Sequence, residues 1–160
     1  VTTDGIDLAG TLHFGRDVSF YNALSYNRSV YADDYSNGKA LVPTSGKKIP
    51  GSPEWMNKFV ASATFGEIET QLIGDYVGKR YATYTNDLAV KSYFMLNLGV
   101  NVKIPMAQNN FIKNARVRLN ITNLNQIKGD SVAVVGAASG TYNTFPIAPR
   151  QYFVTFGADF

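Results

Sequence analysis

The sequence predicts an all-β chain, an antiparallel meander of about seven membrane-spanning strands. Three observations carry that reading. Apolar and polar residues alternate with a period of two in seven segments, no stretch holds a capped helical repeat, and the connections alternate between short and long. With 45% hydrophobic and 17% charged residues, ten Tyr and ten Phe, the 160-residue chain is too apolar and aromatic to be disordered. It has no Cys and one His, which excludes disulfide scaffolds, thiolate zinc sites and any centre needing a Cys nucleophile or two His. The net charge of +3 is not gathered into a basic stripe, so nothing points to nucleic acid.

The strands follow in order. Ile6, Leu8, Leu12 and Phe14 oppose Asp7, Thr11 and His13; then Val18, Phe20, Leu24 and Tyr26 oppose Ser19, Tyr21, Ser25 and Asn27. Phe59, Ala61, Ala63 and Phe65 oppose Lys58, Ser62 and Thr64, and Ile68, Leu72 and Tyr76 oppose Glu69, Gln71, Asp75 and Lys79. The clearest segment places Phe94, Leu96, Leu98, Val100, Val102 and Ile104 opposite Met95, Asn97, Gly99, Asn101 and Lys103. Ala115, Val117, Leu119 and Ile121 then share a face, as do Tyr152, Val154, Phe156, Ala158 and Phe160.

Alternation alone does not say whether the apolar face meets a core or lipid. The connections do. Gly15–Asp17 and Gly66–Glu67 are short, Thr85–Val90 and Met106–Asn114 are intermediate, and the outer loops at about 33–55 and 127–150 are long. The longest two fall on one rim and the shortest two on the other, as in outer-membrane barrels. No Asp, Glu, Lys or Arg stands among the apolar-face residues above, as lipid contact requires, since a charge at the midplane costs about 2–4 kcal/mol. Arg28 shares that phase but lies close to the outer end, where it can reach headgroups. Phe14, Tyr31, Trp55, Tyr81, Tyr84, Tyr93, Tyr152 and Phe160 lie near strand ends and are expected to form interfacial girdles. The longest apolar run, Val132–Ala138, is far short of the roughly 20 residues of a spanning helix. It is expected either to fold over the mouth or to form a hairpin with Thr141–Phe145.

Three stretches carry a resemblance. Residues 114–125 (NARVRLNITNLN) with 148–160 (APRQYFVTFGADF), and the middle runs 46–59 (GKKIPGSPEWMNKF) and 74–87 (GDYVGKRYATYTND), resemble the late barrel of TonB-dependent outer-membrane receptors. The resemblance implies a 22-stranded barrel with an N-terminal plug in the outer membrane of a Gram-negative bacterium. It also implies energy-coupled uptake of a scarce nutrient, most commonly a ferric siderophore. Residues 1–160 then supply the last seven strands, with the plug, the earlier strands and the TonB-coupling part absent from this sequence. An odd number of strands cannot close a bacterial barrel by itself, which agrees with a piece of a longer receptor. The rival readings are a small self-contained barrel with a structural or adhesive role and a soluble carbohydrate-binding β-sandwich.

Several residues are candidates for function. Lys79, Arg80, Tyr81 and Tyr84 are candidates for ligand binding, because cations beside aromatics at the outer end attract an anionic chelate; ion pairs with Asp75 or Asp87 are the alternative. On the resemblance, Tyr152, Val154, Phe156 and Phe160 form the signal read by the barrel assembly machinery through strand addition. The inward Arg116 and Arg118 are expected to form structural salt bridges, the alternatives being contact with the plug or a place lining the lumen. Asp33, Asp34 and Asn37 form an oxygen cluster whose spacing fits no calcium loop. His13 reads as a polar wall residue. No phosphate loop, metal-ligand pair or nucleophile elbow is present, so the chain is read as no enzyme, with no cofactor and no metal. Expected partners are outer-membrane lipid, the rest of the same receptor, the TonB energy-transducing complex and the assembly machinery.

Overall fold

The computed structural model describes all residues except 37, 39, 107–111, 113, 136–141 and 160. The long strands are β1 (Thr2–Phe14), β2 (Val18–Val30), β5 (Trp55–Phe65), β6 (Ile68–Val77), β9 (Tyr93–Pro105), β10 (Asn114–Thr122) and β13 (Gln151–Asp159). Short ribbons lie between them: β3 (Tyr35–Ser36) with β4 (Leu41–Val42), β7 (Arg80–Tyr81) with β8 (Ala89–Val90), and β11 (Asp130–Val135) with β12 (Tyr142–Pro146). The seven long strands form one antiparallel sheet in the order β1-β2-β5-β6-β9-β10-β13, as the alternation predicts.

Turn chemistry fixes the rims. Gly15 (φ 70°) and Gly66 (φ 57°) take the left-handed conformation that tight hairpins demand, which holds 15–17 and 66–67 to a few residues. The connections on the opposite rim cover 31–54, 78–92 and 123–150, and each carries one ribbon. The second is longer than its 85–90 expectation. Gly78 extends the β5–β6 ladder by one bond, donating its N–H to the Trp55 carbonyl at 2.8 Å, and Lys79, Arg80 and Tyr81 lie beyond it at the rim. Val132 belongs to the β11–β12 hairpin, the second of its two expected arrangements; residues 136–138 of that run and Thr141 lie outside the described residues.

The register keeps the predicted faces together. Leu72 stands opposite Leu98, Val100 opposite Leu119, and Val117 opposite Phe156, so the apolar side chains form one continuous surface. Among the described residues no second sheet covers it, which removes the sandwich reading. Phe156 is 77% exposed, and among the described residues the buried hydrophobic ones are limited to Ala82 and Val90 at the rim. A surface this apolar is suited to acyl chains rather than water.

Three local devices pattern that surface. Tyr26 and Trp55 pair at 4.7 Å between ring centroids at its outer edge, the place of an interfacial girdle. Below them Phe59 lies between Phe20 at 5.8 Å and Phe94 at 6.2 Å. Phe59 crosses the sheet because Gly74 leaves room: a Cβ there would come within 2.1 Å of its ring. Halfway between the Phe14–Val18 and Tyr26–Trp55 levels, Asn22 and Asn57 exchange amide hydrogen bonds of 3.3 and 3.0 Å, and Asn57 also donates to the Ala23 carbonyl at 3.0 Å. Their bonding to one another satisfies much of what lipid cannot. Arg28 stands opposite Asp4 near the outer end.

The other face is polar. Lys58 meets Asp75 at 3.7 Å and Lys103 meets Glu69 at 2.5 Å, while Asn101 donates to Glu69 at 2.9 Å. Arg116 and Arg118 differ from the salt-bridge expectation: neither joins an ion pair among the described residues. Arg116 instead lies across Gly157, its register partner, where a Cβ would come within 2.7 Å of Nε. His13 falls on this polar face opposite Ser19, as expected.

Candidate ligand site at the outer mouth

The three outer connections are bound to one another by side chains that mimic backbone. Asn86 takes φ 61°, and its amide accepts from the Lys48 N–H at 2.7 Å and donates to the Lys48 carbonyl at 2.9 Å. The Gly51 N–H donates to the Tyr81 carbonyl at 2.8 Å, so connections 31–54 and 78–92 are joined twice. Arg80 makes the next link. Its guanidinium donates to the carbonyls of Asp130 (3.3 Å) and Ser131, lies 5.6 Å from the Tyr93 ring centre, and leaves Nη1 without a hydrogen-bond partner among the described residues. At 4% exposure Arg80 is almost fully enclosed.

Of the four candidate ligand residues, the structure brings Lys79 and Tyr81 together, with Nζ 5.1 Å from the ring centre. Lys48, which sequence reasoning did not single out, places its ammonium 6.0 Å from the same ring and pairs with Glu54 at 2.8 Å. Arg80 and Lys79 do not pair with Asp75 or Asp87: Asp75 faces Lys58, and Asp87 accepts from the hydroxyls of Thr83 and Thr85 (3.0 Å for the latter). Those hydroxyls hold the Asp87 carboxyl below its usual range. Tyr84 stands apart from the cations, edge to face with Tyr31 at 6.3 Å. Burial first, and then the neighbouring Tyr84, raise the Tyr31 phenol above its ordinary value. Tyr31, Tyr81, Tyr84 and Tyr93 therefore serve contacts among the loops and the mouth, not the girdle expected of them.

The connection 123–150 is closed at its base by residues missed in the sequence. Asn123 (φ 51°, 1% exposed) donates to the Ile127 and Ala148 carbonyls at 3.0 and 2.9 Å and accepts from the Ile127 N–H at 2.9 Å. Asn125 bonds both the N–H of Leu96 and the carbonyl of Phe94, at 3.0 and 2.8 Å. Arg150 donates to the Leu124 carbonyl and to the Gln126 amide oxygen. The runs NITNLN and APRQYF are thus the two halves of one staple. The signal available was the Asn density itself, because Asn is the non-glycine residue that best tolerates positive φ.

The remaining expectations fall as follows. Asp34 accepts the Ser45 N–H at 2.7 Å, and among the described residues no acidic or His group is arranged to hold a metal; Asn37 is outside them. Tyr152, Val154 and Phe156 line the open edge strand β13 at 61, 56 and 77% exposure, while Phe160 lies outside the described residues.

Comparison with known proteins decides the family. The profile for the TonB dependent receptor-like β-barrel matches residues 1–124. The chain belongs to the TonB-dependent receptor family. It is accordingly a β-barrel part of a Gram-negative outer-membrane receptor, and the family is one of transport receptors, not enzymes. No curated protein matches the sequence. In fold the chain is similar to the siderophore receptor PiuA from Acinetobacter baumannii, with TM-score 0.73, 15% identity, and 96% of this chain and 21% of that one covered. It is also similar to the ferric yersiniabactin uptake receptor FyuA from Yersinia pestis, with TM-score 0.76, 14% identity and coverage of 99% and 23%. BauA, the ferric preacinetobactin receptor from Acinetobacter baumannii, gives TM-score 0.74, 21% identity and coverage of 99% and 22%. The chain therefore spans less than a quarter of these receptors' length.

Proposed function

We propose that this chain forms the last seven strands and three outer loops of a 22-stranded receptor that takes up an anionic ferric siderophore. The observation that supports it best is the cationic and aromatic mouth, where Lys48 and Lys79 flank Tyr81 and Arg80 lies over Tyr93. Clustered cations concentrate an anionic chelate near the entrance, and aromatic faces supply contact area for its organic part. That the three similar structures are receptors described by siderophores or ferric chelates supports the same cargo.

In this reading the plug and earlier strands belong to the rest of the same receptor, and the TonB complex drives transport through the N-terminal part. Acyl chains cover the apolar face. Tyr152, Val154, Phe156 and Phe160 form the signal that the assembly machinery reads by strand addition. Lys79, Arg80, Tyr81 and Tyr84 contribute to the ligand entrance.

Uptake of radiolabelled ferric siderophore by iron-starved cells carrying the full-length receptor as sole route tests this. A protonophore should abolish uptake, and Lys48→Glu with Lys79→Glu should slow it at limiting chelate by about tenfold or more. Uptake that persists without energy, or that ignores both charge reversals, contradicts the proposal.

A further inference from the structure

Beside the cationic mouth lies a cavity of about 580 Å³ whose chemistry has the opposite sign; its lining includes Tyr31, Tyr35, Tyr84, Asp33, Asp34 and Thr44. Tyr31 and Tyr84 meet edge to face, with ring planes at 70°, and both line the cavity. Tyr35 adds a third, largely exposed ring. Thr44, at 1% exposure, fixes the backbone by donating to the Asp33 carbonyl at 3.0 Å. Asp34 is partly committed to the Ser45 N–H. Asp33 lines the cavity, and its carboxylate has no hydrogen bond or ion pair among the described residues, which leaves it uncommitted.

We propose that this cavity binds an organic ammonium group. Phenol faces carry the negative end of the ring quadrupole, and two or three of them converging on one space form the kind of cage that receives alkylated ammonium ions. The carboxylates of Asp33 and Asp34 supply charge complementarity, and they repel the anions that the lysines attract. A neutral polyol would use the phenol hydroxyls and Asp33 as acceptors but would gain nothing from the ring faces as a cation does. The inference does not depend on the siderophore reading, because apart from Tyr84 it concerns other side chains, and its ligand has the opposite charge.

Calorimetric titration of the purified full-length receptor in detergent with choline tests it, with the uncharged isostere 3,3-dimethyl-1-butanol as control. Choline should bind saturably and at least about fivefold tighter than the isostere. Tyr31→Leu should weaken choline by about tenfold, while Tyr31→Phe, which keeps the ring, should retain it. Asp33→Asn removes the charge without touching the backbone bond to Thr44 and should weaken choline by about fivefold. No binding of choline, equal binding of the isostere, or binding of neutral glucose in place of choline overturns the proposal. So does choline binding that is unmoved by both Tyr31→Leu and Asp33→Asn. None of these outcomes bears on uptake of a ferric chelate, so the two proposals fail separately.

Discussion

In the wall, β2 and β5 meet through nine consecutive register pairs from Val18–Ala63 to Tyr26–Trp55, whereas connections 31–54 and 78–92 are hydrogen-bonded, among the described residues, through the Asn86 amide and one Gly51–Tyr81 bond, with ring contacts at Tyr84 and Tyr81 beside them. The wall spreads its cohesion over a backbone ladder and asks of each side chain only that it suit lipid or lumen. The rim concentrates cohesion in a few amides and two guanidiniums that satisfy distant carbonyls. A single substitution should therefore act in the wall through its face and its depth, and at the rim through the particular bond it removes.

The largest expected effect breaks the facial rule. Leu119→Arg puts a cation on the apolar face opposite Val100, mid-strand, and should cost about 2–4 kcal/mol in urea unfolding of the full-length receptor in bilayers. Asn120→Arg, one residue on and facing the lumen, should cost far less. Equal costs would erase the distinction between the faces. A second test uses the amide pair. Asn57→Leu strands the Asn22 amide in lipid and should cost about 1–3 kcal/mol, whereas Asn22→Leu with Asn57→Leu should be close to neutral. A double-mutant cycle with additive losses would show that the two amides act independently.

At the rim the effects should be local. Asn123→Ala leaves the Ile127 N–H and two carbonyls without their partner and should lower protection of 123–150 by about 1–2 kcal/mol in hydrogen exchange. Protection of β9 and β10 should hold; simultaneous loss there would show that wall and rim open as one unit. The smallest effect is a pH dependence. Asp87 titrates below its ordinary 3.8 in the fold, so its contribution is complete above that value and falls away only as pH drops through the folded pKa. Exchange at Leu88, whose N–H donates to the same Thr83 hydroxyl, should show no Asp87-dependent change in opening from pH 7 to 5 and loosen below about 4. Loosening that already appears between pH 7 and 5 would contradict the hydroxyl-held carboxylate.

The same contrast explains what was legible in the sequence. All seven wall strands are readable because Leu96, Leu98, Val100 and Val102 repeat a geometric period, and lipid enforces the period with a large penalty. The sorting of connections by rim follows from strand direction alone. The mouth is different. Lys79 beside Tyr81 is visible because they are two residues apart, but Lys48 reaches that ring from another connection 33 positions away, and no spacing announces it. Arg80 resembles an exposed cation in the sequence, yet the β11 carbonyls that enclose it are 50 residues on. Asn123 and Arg150 stood inside the two motifs that suggested the family, but their bonding depends on how the 123–150 connection closes.

Oxygen and nickel-chelate accessibility of nitroxide labels along β9 and β10 tests the whole account most directly. The chain has no Cys, so single-Cys labels can be placed in the full-length receptor once any Cys elsewhere is removed, and measured in liposomes. Labels at Leu96, Leu98, Val117 and Leu119 should favour oxygen, and labels at Asn97, Asn101 and Arg118 should not. A pattern without the two-residue period, or one with the chelate reaching Leu98 and Leu119 and oxygen favouring Asn97 and Arg118, would contradict it.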